Sequence, residues 1–141
     1  MICCVRARRG PGPARRMPPT FSMVERIASF GHALRGIAEL VRTQPNAWIH
    51  AAATCLVCAL AVALGISAGE WLAVVLAISS VWSAEALNTA FESLCDAVSP
   101  DRDPRVRRAK DVAAGAVLVS ATGAATVGLI VFAPRLLHLV R

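Results

Sequence analysis

The stretch Trp71–Asp96, WLAVVLAISSVWSAEALNTAFESLCD, runs from an apolar segment into a polar one with no glycine, proline or other turn signal between them. Trp71–Ser83 has the character of a membrane span, yet Glu85, Asn88, Glu92 and Asp96 follow on the same helical period. At about 100° per residue these four fall within a sector of roughly 80° on one helix face. With a rise of about 1.5 Å per residue they extend about 16 Å along the axis. From Trp71 to Glu85 is about 21 Å of helix, short of a hydrocarbon thickness of about 30 Å, so Glu85 is expected below the lipid surface. An ionisable residue at that depth costs on the order of 2.5–3.5 kcal/mol and persists mainly against a protein interior, a water-filled cavity or a bound cation. The stripe therefore predicts a cation-binding cleft. The alternative is a helix that leaves the bilayer near Asn88, which wets Glu92 and Asp96 but leaves Glu85 submerged.

Working outward, the 141 residues are 56% hydrophobic and only 17% charged, with a mean hydropathy of +0.57. That composition excludes an ordinary soluble domain of this size. Two further runs are long enough to cross a bilayer, about 47–66 (AWIHAAATCLVCALAVALGI) and about 111–133, which contains AAGAVLVSATGAATVGLIVFA. Gly65–Glu70 reads as a tight turn before the span at about 71–98, and Ser99–Pro104 as the start of a charged connector reaching Lys110. Upstream, Ile27, Phe30, Leu34, Ile37 and Val41 recur at helical spacing and predict an amphipathic helix over about 24–43, lying on the bilayer surface. The expected fold is an all-α integral membrane subunit: residues 23–141 forming three spans behind a surface helix, and a basic tail, residues 1–22, expected to be disordered.

Thirteen of the fifteen lysines and arginines lie before the first span or between the second and third. By the positive-inside rule the amino terminus then faces the cytoplasm of the inner (plasma) membrane, and no nucleic-acid partner is expected. Trp48 and Trp71 suit either interfacial anchoring or packing. Cys3 and Cys4 fall in the tail and Cys55 and Cys58 in a span, without zinc spacing, so the cysteines read as small apolar residues. Ala124 and Gly128 form a small-xxx-small packing face, and no Lys-Ser/Thr completes a P-loop around Gly123 and Gly128. His32, His50 and His138 are too scattered to suggest a metal site.

Lys110-Asp111 opens the third span beside the carboxylate stripe. Carboxylates for magnesium and a lysine for phosphate oxygens are the parts that hold a metal–nucleotide. A positive-inside anchor accounts for Lys110 but not for Asp111.

Glu85-x-x-Asn88-Thr89-Ala90-x-Glu92-x-x-x-Asp96, then Ala109-Lys110-Asp111-x-Ala113-Ala114-Gly115-Ala116-Val117, resembles the prokaryotic diacylglycerol kinase/undecaprenol kinase family. Ser29-Phe30-x-x-Ala33-x-x-Gly36 and Asn46-x-x-Ile49-His50 extend the resemblance over about residues 29–134. It implies a homotrimeric lipid kinase using ATP with Mg2+ to phosphorylate a membrane lipid alcohol, either diacylglycerol or undecaprenol. It further implies Glu85 as general base beside Asn88, and Glu92 as a magnesium ligand. Asp96, Lys110 and Asp111 would bind the nucleotide. Where many relatives carry a metal-binding glutamate this chain has Gln44, a neutral and weaker ligand, and Trp48 replaces an arginine. A non-catalytic bundle, either a scaffold or one whose stripe lines an ion pathway, is the rival reading.

Overall fold

The computed structural model describes residues 23–98 and 103–140; the tail, with Cys3 and Cys4, lies outside the described residues. Among the described residues the chain is four α-helices without a strand: α1 (Met23–Thr43), α2 (Pro45–Ala63), α3 (Ala68–Val98) and α4 (Pro104–Val140). Three of these, α2, α3 and α4, are long and apolar enough to cross a membrane. The protein is thus an all-α integral membrane protein.

Two compact units divide inside α1, between Ala33 and Leu34. The first contributes the opening turns of α1, with Met23, Ile27 and Phe30 exposed. In the second, α1 ends where Thr43 turns its hydroxyl back onto the Glu39 carbonyl at 2.9 Å, and Leu40 and Ala47 are buried on either side of Gln44. Gln44 is extended (φ −104°, ψ 115°) because Pro45, at the first position of α2, disfavours the helical region for the residue before it.

The α2–α3 connection is a pair of interlocking caps. Gly65 takes φ +57°, the left-handed conformation that glycine adopts without a Cβ clash. Gly65 N–H then bonds the Val62 carbonyl at 3.3 Å and Ile66 N–H the Ala61 carbonyl at 3.2 Å, a Schellman closure sealed by burial of Ile66 against Ala61. Ser67 caps α3: its N–H donates to Glu70 Oε2 at 2.7 Å, and Glu70 N–H returns a bond to Ser67 Oγ at 3.4 Å. Arg135 of α4 clamps the same carboxylate with both terminal nitrogens, at 2.5 and 2.8 Å. Beneath this clamp sits the apolar core, where Val74, Val131 and Phe132 join Ala61 and Ile66. Trp71 packs against that core, whereas Trp48 is exposed.

Helix α4 departs from the sequence expectation at both ends. It begins at Pro104, not near 111, because Asp103 caps it through Oδ1 to Arg105 N–H at 2.7 Å and the proline is suited to the first turn. The basic run Arg105–Lys110 is therefore helical. At the other end α4 continues past Pro134, and Arg135 Nη1 reaches the Val131 carbonyl at 3.1 Å.

Candidate functional site

Val74, Val81, Glu85 and Asn88 are the buried residues of α3. They recur at seven, four and three residues and so share one face. The stripe that packs valines near the turn thus continues into a carboxylate and an amide further along. That continuity explains why Glu85 is inside: the helix has no other face to offer the core.

Glu85 is 1% exposed, and neither of its oxygens nor Asn88 Oδ1 has a hydrogen-bond partner. Both side chains line a cavity of about 250 Å3 between α2, α3 and α4, with Asn46 and His50 opposite and Ala114 and Val117 closing the α4 side. His50 Nε2 stands 3.8 Å from Glu85 Oε2. A buried polar atom left unpaired costs about 1–3 kcal/mol, and such groups concentrate where chemistry is done.

From Glu85 the polar stripe continues towards the end of α3. Asn88 Nδ2 donates to Glu92 Oε1 at 3.3 Å. One turn on, Asp96 accepts from Lys110 Nζ at 2.5 Å, joining α3 to α4. Glu92 lies close enough for its charge to act on Lys110 as well. The series Glu85, Asn88, Glu92, Asp96 and Lys110 therefore grades from fully buried to a carboxylate 70% exposed. Asp111 is exposed on α4 and enters none of these contacts. Gln44 forms no side-chain cap on α2. Beside the stripe, α3 and α4 leave a mainly apolar groove of about 690 Å3 that includes Leu87, Phe91 and Val112, with Ser80, Ser83, Asn88 and Arg108 as its polar members.

Among the described residues no group of three or more His, Cys, Asp or Glu is arranged to hold a metal. Magnesium with nucleotide does not require one, since it takes one or two carboxylates and completes its shell with water and phosphate oxygens. The half-exposed Glu92, steadied by Asn88, fits that need. Cys55, Cys58 and Cys95 are free thiols.

Three helices long and apolar enough to span a membrane, with a buried carboxylate facing the cavity between them and a lysine–carboxylate pair further along, define a polytopic membrane protein with a polar cleft. The chain belongs to the prokaryotic diacylglycerol kinase family, whose model matches residues 31–132, and it is accordingly a lipid kinase. It is 44% identical over 110 residues to the undecaprenol kinase of Bacillus subtilis, covering 77% of this chain and 88% of that protein. It is 36% identical over 114 residues to the diacylglycerol kinase of a Synechocystis strain, covering 80% of this chain and 65% of that one. No solved structure matches it.

Sequence spacing assigns no chemical role to His50, Thr54 or Trp82. Trp82 Nε1 donates to Thr54 Oγ1 at 3.2 Å, and Thr54 Oγ1 donates to the His50 carbonyl at 2.7 Å. The four-residue spacing of His50 and Thr54 was visible; which helix they face depends on packing that spacing does not encode.

Proposed function

We propose that the cleft transfers the γ-phosphoryl group of MgATP to the hydroxyl of a membrane lipid alcohol of the undecaprenol or diacylglycerol type, at the cytoplasmic face of the inner membrane. The observation that carries the reading is Glu85: a carboxylate buried to 1% exposure, unpartnered, and linked by a graded polar stripe to a lysine at the helix ends. The higher identity to the undecaprenol kinase, matched over a larger share of that protein's own length, favours undecaprenol. The distribution of basic residues supports a cytoplasmic amino terminus.

Glu85 accepts the proton of the lipid hydroxyl, which reaches it from the hydrocarbon side while nucleotide enters from water. Asn88 holds Glu92 in place through its amide N–H. Glu92 is the residue to ligate magnesium, with Gln44 as a neutral second donor. The ion, when bound, neutralises phosphate charge. Lys110, held by Asp96, presents its ammonium to phosphate oxygens, and Asp96 and Asp111 flank the nucleotide. A homotrimer is part of the proposal. At most 22% of any span's most apolar window is buried within one subunit, which leaves broad apolar faces for lipid and for neighbouring copies.

Purified protein in mixed micelles, incubated with labelled ATP and magnesium, is expected to phosphorylate undecaprenol faster than diacylglycerol. MgATP is expected to raise its unfolding temperature, as linkage requires of a ligand of the native state. Absence of both labelled lipid and protection, with folded oligomer verified, overturns the proposal.

A further inference from the structure

The proposed base raises a question that its burial makes acute. Each turnover deposits a proton on Glu85, and a side chain 1% exposed has no direct contact with bulk water through which to lose it. The residue opposite in the cavity is His50, 3.8 Å away and 17% exposed at its side chain. Its ring is not loosely placed. Trp82 meets it edge-on with centroids 6.5 Å apart and planes at 63°, while the Trp82 indole N–H bonds the Thr54 hydroxyl that in turn bonds the His50 carbonyl. Two helices thus spend their only interhelical side-chain hydrogen bond, among those described between α2 and α3, on bracing this one residue.

We propose that His50 is the proton outlet and positioning residue of Glu85. This rests on the kinase reading above. The hydroxyl proton of the lipid passes to a Glu85 oxygen as the new O–P bond forms and the bond to the leaving ADP oxygen breaks. Neutral His50, with Nε2 unprotonated, then takes that proton from Glu85 Oε2, and the imidazolium releases it to water through the cavity shared with Asn46. One proton leaves per phosphoryl group transferred, so the balance closes without a further reactant. Closing the 3.8 Å gap to hydrogen-bonding distance requires a small side-chain rotation into the cavity.

The environment isolates this pair. From α3 the cavities on either side of His50 present Glu85, Asn88, Ile78 and Val81; from α4 they present alanines, Val117, Leu118 and Gly128. Of the residues lining them, Glu85 and His50 are the titratable ones. Protonated before turnover, His50 cannot receive the proton. Activity should therefore show an acid limb belonging to this residue.

The test is the pH profile of kcat for the full chain in micelles, for wild type, His50→Gln, His50→Ala and Trp82→Phe. His50→Gln is expected to lower kcat by about a hundredfold, to abolish the acid limb and to leave the unfolding temperature and KM for ATP nearly unchanged. Added imidazole should restore activity to His50→Ala. Trp82→Phe, which keeps an aromatic ring but removes the N–H, should lower kcat less. A His50→Gln enzyme with wild-type kcat, or one that is slow but keeps the wild-type acid limb and, as alanine, ignores imidazole, overturns the inference. Wild type inactive on every lipid alcohol instead removes the kinase reading on which it rests.

Discussion

Replacing Glu85 by methionine should make the protein more stable and useless. Methionine is of similar length and slightly bulkier, so no cavity is opened. What disappears is a carboxylate at 1% exposure whose oxygens both lack a hydrogen bond. Leaving a buried polar group unsatisfied costs about 1–3 kcal/mol, and an ionisable group in a span costs on the order of 2.5–3.5 kcal/mol by insertion scales. His50 limits the gain only slightly: at 3.8 Å it is not hydrogen-bonded to Glu85, and at 17% exposure it is not stranded by the loss. A stabilisation of about 1–3 kcal/mol follows, seen as an unfolding midpoint higher by on the order of 5 °C. Thermal unfolding in detergent, read by intrinsic fluorescence, and lipid phosphorylation on the same preparation measure both sides of the trade. Glu85→Gln, which retains a buried amide, should fall between. An E85M protein that melts below wild type would refute the reasoning, because it would mean the carboxylate is satisfied in the assembled protein, for instance by a neighbouring copy.

Other expectations can be checked in the same preparations. Lys110→Met removes the cation that Asp96 holds and should lower kcat/KM for ATP by about a hundredfold or more, with folding intact; a change below tenfold would detach Lys110 from the nucleotide. Phe132→Ala, at a position 6% exposed in the core beside the Glu70–Arg135 clamp, should cost about 3 kcal/mol of stability without altering turnover per folded molecule. The Arg105 guanidinium, and then its backbone N–H, hold the Asp103 carboxyl below the ordinary aspartate range. A depressed folded value means that its contribution is full above the unfolded value and fades as pH falls through about 4 and below. Wild type should therefore lose more stability than Asp103→Asn between about pH 7 and pH 3, and equal losses would contradict the capping role.

The apolar spans and the turn were legible because membrane solvent enforces run length, and because Gly65 and Ser67-x-x-Glu70 are local signals. The stripe was legible for the same reason: one helical period places Glu85, Asn88, Glu92 and Asp96 together whatever surrounds them. The early start of α4 is obscured by a run as charged as Arg105–Lys110, which reads as a connector although Asp103-Pro104 is itself a helix start. The continuation of α4 beyond residue 133 is less legible, because a proline ordinarily disfavours helix, yet near the end of a long one it removes a single bond. Hardest to foresee was the His50–Glu85 juxtaposition, since it depends on the rotation of α2 about its own axis. A helix so evenly apolar gives little hint of that angle.

The double cap at Leu64–Glu70 bears on how the chain enters the bilayer during synthesis. Helices α2 and α3 emerge before α4, so in the proposed topology their connecting tip is carried across the lipid while Arg135 is still unmade. Its single formal charge is Glu70, and Ser67 supplies that carboxylate with both an N–H and a hydroxyl from within the tip itself. The hairpin can therefore be translocated as a self-solvated unit, with the arginine arriving afterwards as a latch.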